Sequence, residues 1–227
     1  MMKQRILAVG LAVVLTLGAS VPAWAGTALA DYVVAEGYPT EAIAICQDSP
    51  TMLTDEQLSE LAEVAPDISE TRSSMTMPNR RVTDAELTAW SDEYWELGGI
   101  NAFELEVVRL INIERAAYGL HPLALNPRLS MAARFHSQEM ADLVFFSHRS
   151  PHHGRGTYRA DMFGHENIRE YAWGVQENLA GTTRSPERAV RAWMNSPGHR
   201  ATILGEYFLT IGIGAVQGGS TTAKFGL

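Results

Sequence analysis

Three short stretches set ionisable side chains beside residues that fix the backbone. They are Phe145-Phe146-Ser147-His148, Gln176-Glu177-Asn178-Leu179-Ala180-Gly181, and Trp193-Met194-Asn195-Ser196-Pro197-Gly198-His199-Arg200. Imidazole and carboxylate are useful chemical partners. A carboxylate within hydrogen-bond reach fixes an imidazole's tautomer and favours its charged form. Two neutral imidazoles offer nitrogens to a zinc ion with open positions for water or ligand. A metal-bound water can attack an ester or peptide bond. Two protein ligands make a weak metal site, so a polar cleft whose groups satisfy one another is the plainer alternative.

Other arrangements carry less. His136 shares a helix face with Leu129, Ala133 and Met140, which reads as a packed core histidine. His152 lies four residues after His148, but Pro151 between them opposes the helix that a metal pair at that spacing needs. His152, His153, Arg155 and Arg159 read as a solvated loop or an anion-attracting rim. His165-Glu166 lacks the second histidine of a zinc-protease helix, because positions 168 and 169 are Ile and Arg. Ser147 and Ser196 sit beside histidines without a Gly-x-Ser-x-Gly setting. Cys46 is the only cysteine, so no disulfide forms within the chain and a Cys-His nucleophile is not expected.

The elements that must position these groups can be read from caps and periodicity. A capping box, Thr54 to Gln57, precedes Leu58, Leu61 and Val64, and Pro66 stops that helix. Residues 67–81 turn to Ser, Thr, Met, Pro and Arg and read as a linker. A second box, Thr83 to Glu86, starts a helix with Leu87, Trp90, Tyr94 and Leu97 on one face, ended by Gly98-Gly99. That face needs a surface to cover, and the C-terminal domain is the expected one. Residues 103–118 predict a helix ended by Gly119. Asn126-Pro127 caps the next helix, which carries Leu129, Ala132, Ala133, His136, Met140, Leu143 and Val144 on one side. Ser185-Pro186 starts a short helix with Val190, Trp193 and Met194. Residues 209–216 alternate as a strand with Leu209, Ile211, Ile213 and Ala215 facing a core. Helices first and a sheet later give an α+β class.

Composition and charge bound the function. The chain has 227 residues, 46% of them hydrophobic, and a formal charge of −8, which argues against a nucleic-acid partner. The charge is uneven: residues 26–100 hold 15 acids and 3 bases, and residues 101–227 hold 11 acids and 13 bases. All seven histidines follow residue 100. The start has the three parts of a secretory signal: Lys3 and Arg5, an apolar run over 6–18, and Ala23-Trp24-Ala25 as a cleavage site. An uncleaved anchor is the alternative. The expectation is a signal peptide over 1–25, an acidic, partly helical extension and linker over 26–100, and a domain over 101–227. The exported chain would then start near Gly26, with no transmembrane segment.

The order of the motifs says more than any one of them. Asn112-Ile113-Glu114-Arg115 precedes Gly119-Leu120-His121-Pro122-Leu123, then Leu129, Ala133, His136-Ser137 and Met140. Ser147-His148, Glu177-Asn178-Leu179-Ala180, the stretch 193–200, Ile211-Gly212-Ile213-Gly214 and Phe225-Gly226 follow. Over residues 103–226 this resembles a bacterial member of the CAP superfamily, the SCP-like extracellular domain shared with cysteine-rich secretory proteins, antigen 5 and pathogenesis-related proteins. The resemblance implies an α-β-α sandwich with a central antiparallel sheet, here preceded by a helical N-terminal extension. It also implies a ligand-binding cleft in which His148, Glu177 and His199 converge, with His148 and His199 as the ligands of any divalent metal such as zinc. The family's second glutamate is replaced by Ser196, with Glu187 upstream as a substitute, so catalytic residues are not assigned. Thr222-Ala223-Lys224-Phe225 also departs from the family's usual aromatic and amide residues. The resulting expectation is a secreted monomer that binds a lipid-like or cell-envelope ligand. A weak metal-assisted hydrolase and a structural surface module without ligand are the alternatives.

Overall fold

The computed structural model describes residues 50–165, 174–182 and 185–227. The expected signal peptide and Cys46 lie outside these residues. The chain is α+β, with helices packed on a four-stranded sheet. Helices α1 (Asp55–Val64), α2 (Asp84–Glu96) and α3 (Ala102–Ala117) come first. Each begins with a capping box, formed by Thr54 with Gln57, Thr83 with Glu86, and Asn101 with Glu104. These reciprocal bonds satisfy backbone donors that a helix start leaves open, so the boundaries are set locally. Strand β1 (Ala124–Leu125), helix α4 (Pro127–Asp142), helix α5 (Gly156–Met162) and strand β2 (Gln176–Ala180) follow. Helices α6 (Pro186–Met194) and α7 (Pro197–Ile203) lead to strands β3 (Thr210–Ala215) and β4 (Thr221–Gly226).

The strand order is β1-β3-β4-β2. β3 pairs antiparallel with β4, and β4 with β2, while the two residues of β1 add parallel to β3. Alternation along β3 sorts its side chains between two faces. Ile211 and Ile213, with Ala223 and Phe225 opposite them, join one buried cluster with Leu105, Val108 and Ile111 of α3 and Val190 and Trp193 of α6. Gly212 and Gly214 face the other way, against the backbone of α4. The strand is one residue shorter at each end than the expected 209–216: Leu209 does not join the core face and is 52% exposed, because β3 begins at Thr210.

Helix α4 is buried around its whole circumference, from Leu129 through Met140. A single apolar face therefore understates it. The sheet covers one side, and α2 covers another, where Trp90 and Tyr94 cluster with Met131, Ala132, Phe135 and Phe163. The Trp90 indole N–H donates to Gln138 Oε1 at 3.2 Å.

Residues 67–81 are likewise not a loose linker. Met77, Thr71 and Ser73 are buried. Asp142 at the end of α4 pairs with Arg72 at 2.5 Å and accepts from the Met77 backbone N–H at 2.9 Å. Gln138 donates to the Met75 carbonyl at 2.6 Å. The backbone of this segment at Met75 and Met77 is thus held by polar side chains of α4, and its Arg72 by Asp142. No helix among the described residues is long and apolar enough to cross a membrane.

Candidate functional site: a buried carboxylate beneath an exposed histidine

Glu177 lies in β2 directly opposite Lys224 of β4, and Lys224 is opposite Gly212 of β3. Register therefore turns this pair away from the Ile211 face, toward the side covered by α4. The Glu177 side chain is 5% exposed and its oxygens are fully engaged. Oε1 accepts from His148 Nδ1 at 3.0 Å and Arg159 Nη2 at 3.0 Å. Oε2 accepts from Arg159 Nη2 at 2.8 Å and Lys224 Nζ at 2.5 Å. Four contacts fill the roughly four lone-pair directions of a carboxylate. Burial alone would raise this carboxyl, but Lys224, the His148 hydrogen bond and Arg159 hold it well below its ordinary value. Burial pushes Lys224 down to about 8, against the opposing pull of Glu177. Gly156 opens α5 beside this pair, where a Cβ would stand 3.1 Å from Glu177 Oε2 and 3.2 Å from Lys224 Nζ.

His148 is the outward member, with its side chain 56% exposed. Its Nδ1 faces a carboxylate that only accepts, so Nδ1 carries a proton. His199 is half-buried at the third position of α7, and Asn178 of β2 holds its backbone carbonyl at 2.9 Å. Burial lowers the His199 pKa, and the neighbouring His148 lowers it further. The upper layer of the site thus presents two imidazoles, of which His199 is held toward its neutral form. Ser196 stands at the N-cap position of α7, ahead of His199, without a side-chain capping bond. Glu187 is exposed and its charged neighbours are Arg191 and Arg109, so it does not replace the family's second glutamate beside Glu177.

A second buried carboxylate lies below. Glu139 of α4 is bonded by His136 Nδ1 at 3.2 Å, His153 Nδ1 at 2.7 Å and Ser150 Oγ at 2.5 Å. His136 is fully buried, as its helix face implied, and its Nε2 meets the Ser147 carbonyl at 3.0 Å, tying α4 to the loop that carries His148. His153 and Arg159 correct the rim reading: both are buried. The tight Ser150–Gly154 bridge turns His153 inward, where Nε2 accepts from the Val82 backbone N–H at 3.0 Å. His152 is half-buried and contacts Asn79 Oδ1 at 2.8 Å, and only Arg155 of the four lies open to solvent. His165 is buried against Asn126.

Sequence reasoning missed Lys224, Arg159 and Glu139 as parts of the site. The usable signal was a lone lysine inside Thr222-Ala223-Lys224-Phe225, since a charged residue in a strand buried on both faces requires a charged partner. Glu139 stands three residues after His136, a spacing that makes helix neighbours.

Burial would raise Glu139, but hydrogen bonds from His136, His153 and Ser150 bring it to about 2. A carboxyl depressed in the folded state stabilises above its unfolded pKa, and that contribution is lost as pH falls toward the folded value. Stability is therefore expected to drop by up to about 3 kcal/mol between pH ~4.5 and 2. Thermal melts across that range, with Glu139→Gln flattening the slope, check it. An unchanged slope in the variant would remove Glu139 as the cause.

A divalent metal fits these residues poorly. Among the described residues, no three His, Cys, Asp or Glu side chains gather to hold a metal ion. Glu177 occupies His148 Nδ1 and spends its own oxygens on Arg159 and Lys224. What is left for a metal is two imidazoles above two buried cations.

Residues 108–225 match the family model described as the cysteine-rich secretory protein family, CAP. The chain is 43% identical over 121 residues to the uncharacterized protein YkwD of Bacillus subtilis (strain 168), covering 53% of this chain and 45% of that protein. It is 30% identical over 126 residues to the uncharacterized membrane protein YlbC of the same organism, covering 56% and 35%. The chain thus spans less than half the length of either relative. A crystal structure of an extracellular protein containing a SCP domain from Bacillus anthracis superposes with a TM-score of 0.51 at 29% identity, covering 59% of this chain and 42% of that one.

Proposed function

The chain belongs to the cysteine-rich secretory protein (CAP) family, and from that premise we propose that it acts outside the cell by binding a lipid-like or other cell-envelope component at the cleft of His148, Glu177 and His199. One observation carries this reading: Glu177 is saturated by His148, Arg159 and Lys224. A carboxylate so engaged has no lone pair free to take a proton from water, whereas it serves well to fix His148. The exposed edge is then the His148 ring beside His199, whose burial favours the neutral imidazole that accepts from hydroxyl and amide donors of an uncharged polar group. Sugar or glycerol hydroxyls of envelope material meet that description. The description of the Bacillus anthracis neighbour as extracellular agrees with the expected signal segment.

The test is capture from a cell-envelope extract by the purified chain, read by mass spectrometry, beside the variant carrying His148→Ala and His199→Ala. The parent is expected to enrich a hydroxyl-bearing envelope species, with each lost hydrogen bond weakening it by roughly five- to tenfold. Equal recovery by parent and variant would remove the cleft as the binding site.

A further inference from the structure

The loop between α4 and the Ser150–Gly154 bridge combines two features that are costly to a soluble surface. Val144 follows the last turn of α4 with φ +53°, the only non-glycine residue with positive φ among the described residues. It sits where a helix terminator is usually glycine: the Phe145 N–H closes back on the Met140 carbonyl at 3.1 Å and the Leu143 N–H on Glu139 at 3.0 Å. A β-branched side chain is strained there. It gains no burial in return, because Val144 is 90% exposed, and Phe146 two residues on is 57% exposed. The strain and the exposure both fall on residues directly before His148.

The charge around this loop runs against the rest of the molecule. Residues 143–160 contain three arginines and three histidines and no acid, in a chain of net −8. Arg159 is buried on Glu177, which leaves Arg149 and Arg155 exposed. The two flank the isolated Ser150↔Gly154 bridge in sequence, one residue outside it on either side, so one tight turn carries both. Two exposed like charges carried on one short turn repel at close range, and a bound anion would relieve that repulsion. Two exposed apolar side chains beside two exposed arginines form the pattern of a segment that lies on an anionic membrane surface.

We propose that Val144 and Phe146, flanked by Arg149 and Arg155, dock the protein on a bilayer surface bearing anionic headgroups, the apolar pair entering the headgroup layer and the arginines meeting the phosphates. This goes beyond the cleft reading and does not depend on it. Residues 144–147 run directly into His148, so docking would bring that side of the cleft to the membrane.

Co-sedimentation of the exported chain with vesicles tests it. Binding is expected to mixed phosphatidylglycerol and phosphatidylcholine vesicles, not to phosphatidylcholine alone, and to weaken as salt rises. Arg149→Gln with Arg155→Gln is expected to weaken it about 25-fold, at about fivefold per arginine. Phe146→Ser is expected to cost about tenfold. Val144→Gly separates the docking role from a structural one: relief of strain should raise the melting temperature by about 2–4 °C while binding falls. No binding to anionic vesicles, equal binding to neutral ones, or undiminished binding in all three variants would overturn the proposal.

Discussion

Gly214→Ala is expected to leave no stably folded protein. An ideal Cβ at Gly214 would stand 1.8 Å from the Arg134 nitrogen, 2.2 Å from the Ala133 carbonyl carbon and 2.4 Å from the Arg134 Cα. Gly212 repeats the approach one pleat away, 2.3 Å from the backbone of Leu129 and Ser130. These are main-chain atoms of α4, which no rotamer change can move. Retreat of the helix is blocked from the far side, where Trp90, Tyr94 and Phe163 press on Met131 and Phe135. Retreat would also break the Arg134–Glu104 ion pair, both members fully buried, and the Ser137 hydroxyl bond to the Gly214 carbonyl at 2.7 Å. The cost is expected to exceed about 4 kcal/mol, beyond ordinary overpacking. Circular dichroism and melting of the variant, beside Gly181→Ala with no atom within 4 Å of its Cβ, provide the measurement. A Gly214→Ala protein melting within a few degrees of the parent would mean that α4 is not seated on β3.

The second large effect is at the cleft. Glu177→Ala leaves Arg159 and Lys224 buried and facing each other, both with fully buried side chains. Removing one partner of a buried charge set typically costs about 3–5 kcal/mol, and the same change frees His148 from its fixed tautomer. Folded-state destabilisation and loss of envelope-ligand capture should therefore appear together. Two readouts separate the electrostatic cause from simple loss of packing. Adding Lys224→Met to Glu177→Ala should restore part of the stability, because one stranded cation is gone. Raising the pH should also help the single variant. Burial already brings Lys224 to about 8, and the unfolded chain keeps that proton to ~10.4, so stability grows as pH climbs between the two values. Absence of both recoveries would place the damage in packing rather than charge.

The parts legible in the sequence were those decided by near neighbours. Thr54, Thr83 and Asn126 cap helices through residues two or three positions away, and those helix starts are found as expected. The family resemblance rested on ordered motifs, and it pointed to Glu177 and His148, which the structure brings to 3.0 Å. What sequence did not yield depended on distant chain segments. Nothing within a few residues of His153 announces that Val82 will meet its ring, 71 positions earlier. The same holds for Arg159, which read as a solvated loop or rim residue, and for Lys224, noted only as a departure from the family pattern, until two strands and a helix closed around one carboxylate. Leu209 fell on the right phase of the alternation but outside the end of the strand, where pairing rather than pattern decides burial. Strand β1, at two residues, is too short to show any period.

The cover that α2 places over α4 bears on how such a protein can be shortened. The family match opens at residue 108, inside α3, and a cut there is the obvious way to make a minimal domain. It would strip Trp90, Tyr94 and Met77 from Met131 and Phe135 and expose that apolar flank to water. It would also unpair Arg134 by removing Glu104. The product would carry His148, Glu177 and His199 and still be prone to aggregate, so covering that flank is the task of the acidic N-terminal segment as much as of the matched region.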